Sequence, residues 1–174
     1  MNYRNQITKA MTTLALDSRT IFVGQSVCYP GHAMFGTLEN VPMEKRIEMP
    51  VAEDFQMGLS IGLALMGYIP ISIYPRWDFL ILATNQLINH LDKMEEVSNG
   101  QFKPKIIIRT MIGSSNPLNP GPQHRQDYTE AYKKMLTNVD VIKLTNANMI
   151  ESSYLNALHS DKSTIIVEVG DLYK

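Results

Sequence analysis

The sequence has a single cysteine, Cys28, among 174 residues. One thiol cannot form a disulfide within the chain, and such sparse use of cysteine is typical of proteins from a reducing cytosol. We therefore expect a cytoplasmic protein. No cysteine or histidine cluster has the spacing of a zinc site, and there is no glycine-rich loop of the P-loop or dinucleotide-binding type. The sequence thus indicates no metal ligands of its own.

The chain also lacks a strong charge of either sign and a long apolar run. Its 16 lysines and arginines nearly balance 17 acidic residues, giving a net charge of -1. This balance gives no electrostatic reason to expect nucleic acid or an anionic membrane as the partner. The most apolar stretch, residues 57–73, is interrupted by glycines and Pro70 and is shorter than the roughly 20 residues of a membrane span. With 44% hydrophobic and 19% charged residues, the sequence predicts one globular domain over residues 1–174.

Apolar runs typical of strands alternate with segments of helical periodicity. The runs are continuous rather than alternating, which is typical of parallel strands covered on both faces. The predicted fold is α/β, a three-layer αβα sandwich with a mostly parallel, doubly wound sheet. Predicted strands cover 20–24, 68–74, 105–110, 139–144 and 163–169, and predicted helices cover 3–16, 53–66, 78–97, 126–136 and 147–159.

Ligands of such folds bind beyond the carboxyl ends of the strands. Three places satisfy that rule: the approach to Glu53, the corner at 74–77, and the loop at 111–125. Glu53 begins a helix so apolar that we expect burial around most of its circumference. Because desolvating a carboxylate is costly, a glutamate placed there caps the helix, pairs with an opposite charge or does chemistry. Within the helix, Gly58 and Gly62 allow close packing against a partner or against the protein's own sheet.

Several motifs, in order and spacing, resemble the pyrimidine-binding domain of transketolase-like, thiamine diphosphate-dependent enzymes. The resemblance covers nearly the whole chain and is greatest to the beta subunits of 2-oxoacid dehydrogenase first components. The sequence departs from that family in the loop before the histidine, which lacks the usual glycines, and in Arg125, where serine is usual. The family's C-terminal domain is also missing after residue 174. The matching motifs are Pro50-Val51-Ala52-Glu53, Asp78-Phe79, Asn85-Gln86-Leu87-Ile88-Asn89, Ile108–Gly113 and Gly121-Pro122-Gln123-His124.

The resemblance implies roles for individual residues. Glu53 would hydrogen bond to a pyrimidine ring nitrogen of thiamine diphosphate and so activate the cofactor's aminopyrimidine. His124 would face the reacting centre and steady the 2-oxoacid, although a loop histidine can also be plain surface. Trp77 either stacks on the aminopyrimidine or packs in the core. Arg76 has no counterpart in the family and is either a contact for a substrate carboxylate or a solvated charge.

The resemblance also implies a partner. The family holds the cofactor's diphosphate through Mg²⁺ with a Gly-Asp-Gly motif and a downstream asparagine, and this sequence contains no Gly-Asp-Gly. An alpha-type subunit would then supply the diphosphate site and the magnesium, in a heterodimer or an α2β2 tetramer. The expected function is that of an oxidoreductase, lyase or transferase subunit that decarboxylates a 2-oxoacid with acyl or aldehyde transfer. A transketolase-like ketol-transfer subunit and a non-catalytic α/β assembly module remain as alternatives.

Overall fold

A computed structural model describes residues 2–116 and 119–173, so Pro117 and Leu118 of the predicted loop lie outside the described residues. Within these ranges, six strands form one sheet in the order β2-β1-β3-β4-β6-β5. Every neighbouring pair is parallel, which confirms the predicted α/β class. The strands are β1 Thr20–Gly24, β2 Arg46–Glu48, β3 Ile69–Tyr74, β4 Ile107–Ile112, β5 Asp140–Lys143 and β6 Thr164–Val169.

Helices cover both faces of the sheet and bury a separate apolar core on each. Alternate strand residues contribute to the two cores. Ile107 and Ile166 pack with the helices at 3–14 and 150–159, whereas Ile108 and Ile165 pack with those at 53–65, 77–80 and 129–135. This alternation is the period of two of a strand buried on both sides. No helix in the described ranges is long and apolar enough to cross a membrane. The helices are α1 Tyr3–Leu14, α2 Glu53–Leu65, α3 Trp77–Leu80, α4 Met94–Val97, α5 Thr129–Met135 and α6 Ile150–His159.

The predicted helix at 78–97 is not continuous. After α3 come a 3₁₀ turn at Ile81–Ala83 and a π-helical segment at Gln86–Leu91, and α4 follows. Asp78 does not cap this region, because α3 has no side-chain cap and the Asp78 carboxylate instead accepts a hydrogen bond from Gln126. The three-residue edge strand β2 was also not predicted, since two of its three residues are charged and none is buried.

Helix α2 is buried on one side only, so the expectation of burial around most of its circumference was wrong. Phe55 and Met66 are 59% and 78% exposed. A Cβ atom added at Gly58 or Gly62 would meet no other atom within 4 Å, which excludes packing of these glycines against the protein's own sheet. The helix ends as predicted, because Gly67 adopts a φ of +92° that favours glycine. The side that faces the sheet is formed by Glu53, Gln56, Met57, Ser60 and Ile61.

Candidate functional site

A cleft opens at the carboxyl edge of the sheet between β1 and β3. The strand order reverses here, because β2 lies on one side of β1 and β3 lies on the other. Such reversal points are where ligands bind in open α/β sheets. The cleft has a volume of about 240 Å³, and its walls come from the loops after β1 and β3 and from the turn at 122–124. It is lined by Gln25, Ser26, Gly31, His32, Pro75, Arg76, Phe79 and His124.

Glu53, the first residue of α2, adjoins this cleft through Gln25. Glu53 is only 6% exposed, and the side-chain amide of Gln25 donates to Glu53 Oε1 over 3.3 Å. Among the contacts of residues 2–116 and 119–173, no backbone N–H donates to the Glu53 carboxylate, so the capping interpretation is wrong. A carboxylate can accept about four hydrogen bonds. Glu53 therefore has acceptor capacity left for a ligand.

Buried polar contacts fix the start of α2 against the sheet. Gln56 Nε2 donates to the Ile73 carbonyl over 3.0 Å and to Ser72 Oγ over 3.2 Å. The Tyr74 hydroxyl donates to the Glu53 carbonyl over 3.3 Å, and burial raises the pKa of Tyr74, which keeps this hydroxyl a donor. Satisfied polar networks of this kind specify one arrangement of the elements they join. They hold the Glu53 backbone at a fixed place relative to the ends of β1 and β3.

A single carboxylate fixes the turn that follows β1 and forms part of the cleft wall. Glu48, at the end of β2, accepts the backbone N–H groups of residues 26–28 over 2.6–2.9 Å. Ser26 has a φ of +51°, a conformation that is uncommon for a residue other than glycine. Farther along, His32 Nε2 hydrogen bonds to the Gln25 carbonyl over 2.8 Å. These contacts place Gln25 and His32 on the cleft wall.

His124 reaches the cleft because Gly113 lets the chain pass close by. A Cβ atom at Gly113 would lie 1.8 Å from the His124 carbonyl oxygen, so only glycine fits at the end of β4. The turn Pro122–His124 begins after Gly121, whose φ is +88°. The His124 ring meets Phe79 edge to face, with ring centroids 5.6 Å apart at 88°. Phe79 and His124 thus form one aromatic corner of the cleft.

Trp77 lies outside the cleft. It is fully buried, and its ring packs against Tyr132 with centroids 4.8 Å apart and against Tyr128. The structure therefore places Trp77 in the core, which was one of the two interpretations from sequence. The aromatic side chain that lines the cleft is Phe79. The Asp78-Phe79 motif was a signal for it, but which aromatic faces the cleft depends on the tight α3 turn.

Arg76 brings a positive charge to the wall of the cleft. Burial lowers the pKa of His32, the charges of Arg109 and Arg76 lower it further, and the hydrogen bond to Gln25 and the charge of Glu48 oppose the shift. Burial also lowers the pKa of Arg76. None of the eight residues that line the cleft is acidic. Sequence reasoning did not identify Gln25 or His32, because both lie in an irregular segment with no motif.

Known proteins resemble this chain in sequence and in fold. It is 27% identical over 160 residues to "Pyruvate dehydrogenase E1 component subunit beta" of Rickettsia conorii, covering 90% of this chain and 48% of that relative. It is 29% identical over 140 residues to the chloroplastic subunit beta-3 of Oryza sativa subsp. japonica, covering 80% of this chain and 34% of the relative. No family model matches the sequence.

Among solved structures, "Split gene transketolase, inactive beta4 tetramer" superposes with a TM-score of 0.74 at 16% identity, over 96% of this chain and 51% of that chain. That likeness establishes the fold alone. The chain spans about half the length of the bacterial and algal E1 beta relatives it matches. The predicted resemblance to beta subunits of 2-oxoacid dehydrogenase first components is confirmed.

Proposed function

We propose that this chain, which resembles E1 beta subunits over 90% of its length, is the pyrimidine-binding subunit of a two-chain thiamine diphosphate-dependent enzyme. The reaction we propose is decarboxylation of a 2-oxoacid with acyl or aldehyde transfer. One observation carries the proposal. Glu53 is nearly buried beside a cleft at the strand-order reversal, and its carboxylate accepts one hydrogen bond from the described residues, that of Gln25.

The residues beside the cleft fit the pyrimidine end of thiamine diphosphate. When bound, the cofactor supplies a nucleophilic carbon and an electron sink, and the protein supplies orientation and proton transfer. Glu53 would hold a proton at a pyrimidine ring nitrogen, and Gln25 orients the Glu53 carboxylate. Phe79 offers an aromatic surface to the ring, in the place that sequence gave to Trp77. His124 would hydrogen bond to the substrate, since imidazole both donates and accepts near neutral pH.

We propose that an alpha-type subunit holds the diphosphate and the magnesium, in a heterodimer or an α2β2 tetramer. In residues 2–116 and 119–173, no group of three or more histidine, cysteine or acidic side chains is arranged to hold a metal. The exposed apolar side of α2 supports association. Glycines at 58 and 62 leave its surface open to a neighbouring helix, and Phe55, Leu65 and Met66 flank them.

The alternatives receive less support. A carboxylate and a histidine placed beside one cleft favour catalysis over a non-catalytic assembly module. The likeness to a transketolase structure is one of fold and does not by itself favour ketol transfer.

The test is reconstitution with a chain from the same genome that carries Gly-Asp-Gly and a downstream asparagine. We expect decarboxylation of a 2-oxoacid that depends on thiamine diphosphate and Mg²⁺. Glu53→Gln should lower turnover by about 100-fold or more, since a positioned proton-transfer group contributes on that order, while the melting temperature is unchanged. Glu39→Gln, at an exposed glutamate, is the control and should remain active. Full activity of Glu53→Gln would refute the role of Glu53.

A further inference from the structure

Arg76 lies at the boundary of two adjoining cavities. It follows β3 directly and lines the cleft together with His32 and His124. It also lines a second cavity of about 130 Å³, whose walls include Met111 and Ser114. The side chain is half-buried, so the interpretation of Arg76 as a plain solvated charge does not hold. A guanidinium in this position can contact a ligand in either cavity.

Among the described residues, this guanidinium makes one hydrogen bond. Arg76 Nη1 donates to the carbonyl of Pro75 over 3.2 Å, and Nε is buried without a partner. No carboxylate of residues 2–116 and 119–173 forms an ion pair with Arg76 within 4.0 Å. The charge of Asp78 opposes the effect of burial on the pKa of Arg76. Asp78 forms no ion pair with Arg76, since its Oδ1 accepts from Gln126 and its Oδ2 is buried without a partner. Partial burial of an unpaired charge is costly, which indicates a ligand of opposite charge.

Two further nitrogens of the same cleft are buried without partners. They are Nδ1 of His32 and Nδ1 of His124. Buried polar atoms are nearly always hydrogen-bonded in native proteins. Of these three unpartnered nitrogens, Arg76 Nε is always a donor and requires an acceptor. In a cleft with no acidic lining residue, an anion would supply that acceptor.

We propose that Arg76 binds an anionic group of the substrate other than the carboxylate that leaves as CO₂. This rests on the proposed function. An arginine paired to the departing carboxylate would stabilise the substrate more than the transition state, in which that charge is dispersed, and would slow the reaction. The ligand is thus a terminal carboxylate of a 2-oxo diacid or a phosphate monoester, both of which match the two-pronged geometry of a guanidinium. Arg76 then selects the substrate and takes no part in bond breaking.

Binding of the anion also changes the protonation of His32. The lowered pKa of His32 keeps its ring neutral at pH 7, and with Nε2 donating to Gln25, Nδ1 is an acceptor. A bound anion favours the protonated ring, in which Nδ1 becomes a donor. The other charges that act on His32 are those of Arg76, Arg109 and Glu48. Anion binding is therefore accompanied by proton uptake.

The imidazole signals of the full-length chain test this by NMR, with inorganic phosphate and succinate as separate probes. Of its four histidines, His32 and His124 line the cleft, whereas His90 and His159 are exposed and serve as internal controls. We expect saturable shifts of the cleft signals and a rise in the pKa of His32 as phosphate or succinate binds. Tighter binding of phosphate identifies a phosphate monoester as the ligand class, and tighter binding of succinate identifies a diacid.

Matched variants locate the effect. Arg76→Gln should weaken binding of the better probe by about 10-fold or more, the usual scale for a lost charge-assisted hydrogen bond. Arg19→Gln, at an exposed arginine paired with Asp17 before the amino end of β1, should bind as the parent chain does. Arg76→Lys keeps the charge and retains partial binding, and it decides the matter if Arg76→Gln does not fold.

Three results overturn the proposal. They are equal binding by Arg76→Gln and the parent, equal shifts of all four histidines, and competition between thiamine diphosphate and the probe on the chain alone. The last would make Arg76 a cofactor ligand. Because the titration needs neither partner nor turnover, its failure is distinct from a failure of the Glu53→Gln test.

Discussion

At the scale of single residues, the position of a functional side chain is set by distant neighbours. His124 lies where it does because Gly113 has no side chain, and a Cβ at Gly113 would overlap the His124 carbonyl oxygen at 1.8 Å. The obstacle is backbone and cannot turn aside as a flexible side chain can. The histidine turn therefore depends on a residue at the end of another strand.

We expect Gly113→Ala to move the turn at 122–124 and to destabilise the fold by about 1–3 kcal/mol, the usual cost of overpacking. Denaturant unfolding gives the free energy, and the imidazole signal of His124 reports the displacement. Gly58→Ala is the matched control. Its Cβ meets open space on a helix, so it should leave His124 unmoved and stabilise α2 by about 0.5–1 kcal/mol. A Gly113→Ala chain with parental stability and an unchanged His124 signal would contradict the close approach.

The residues that sequence located best were those within recognisable motifs. Glu53 and His124 were predicted, and the structure places both beside the cleft. Phe79 was part of a motif, but its direction depends on a turn that the sequence did not reveal. Gln25 and His32 were missed, since their position follows from the contacts of Glu48 with residues 26–28. Contacts between parts of the chain far apart in sequence leave no local pattern.

At the scale of elements, the segment 78–97 shows a tertiary contact overriding helical periodicity. The Asp92 N–H bonds to the Leu87 carbonyl five residues back, and the fully buried Asp92 carboxylate accepts the N–H groups of residues 137–139. In a continuous α-helix, each backbone N–H of this segment would bond to the carbonyl four residues back. Instead, the connection between α5 and β5 donates hydrogen bonds to Asp92 at the end of the π-helical segment, which no single stretch of sequence indicates.

Asp92→Asn should destabilise the protein at pH 7 by about 1–3 kcal/mol, because hydrogen bonds to a charged group are lost. Burial alone would raise the pKa of Asp92, but Lys93, Asn138 and Thr137 together hold it below the ordinary 3.8. A lowered pKa stabilises the fold above the unfolded value, and this contribution is lost as the pH falls through the folded value. The difference between the two proteins should therefore shrink below about pH 4. Chemical unfolding across pH 2–7 measures this difference in unfolding free energy, with Asp161→Asn at an exposed site as the control. A difference that does not change with pH would contradict the stabilising role of the ionised Asp92 carboxylate.

The side of helix α2 that is turned away from the sheet is the surface that we propose for association. Phe55→Glu should prevent association with the proposed partner subunit while leaving the melting temperature of the isolated chain within about 2–4 °C, as expected for an exposed site. Size-exclusion chromatography of the mixed chains measures the association. Leu16→Glu changes a residue that is 81% exposed before the amino end of β1 and should assemble normally. Assembly of Phe55→Glu at the parental concentration dependence would remove α2 from the interface.

At the scale of the whole molecule, a buried ion pair joins the middle of the sheet. Arg109 on β4 and Glu168 on β6 are both 0% exposed, and Arg109 Nε lies 2.5 Å from Glu168 Oε1. Burial alone would lower the pKa of Arg109, but the charge and hydrogen bond of Glu168, together with Tyr173 and Tyr154, hold the pKa well above its usual value. Tyr154 and Tyr173 also donate to Glu168. These contacts join two strands to α6 and to the C-terminal turn.

Glu168→Gln leaves the Arg109 charge buried without a counterion and should cost about 3–5 kcal/mol of unfolding free energy. Urea unfolding measures the loss, and failure to obtain folded protein is the same result in a more severe form. Glu95→Gln breaks an exposed pair with Lys103 and should change stability by less than about 1 kcal/mol. Equal losses of unfolding free energy from the two substitutions would show that the buried pair stabilises the fold no more than the exposed pair does.

The fold class could be predicted because five of the strands are apolar enough to be recognised as runs. Their order in the sheet could not be predicted, since a strand rich in isoleucine and valine can pair equally well with any other such strand. The reversal between β1 and β3, which positions the cleft, is therefore a property of the folded molecule. The proposed function rests instead on motifs whose order and spacing can be recognised without knowing the strand order.

The packing of α1 against α6 has a consequence for the connectivity of the chain. Tyr3 donates to the Leu144 carbonyl over 2.9 Å, accepts from the Val169 N–H, and its ring lies 5.8 Å from that of Tyr173. The first helix and the last turn thus end side by side, far from the Glu53 cleft in sequence. The chain could therefore be cut within the exposed residues 99–103, and the two fragments would remain joined in one sheet through these contacts.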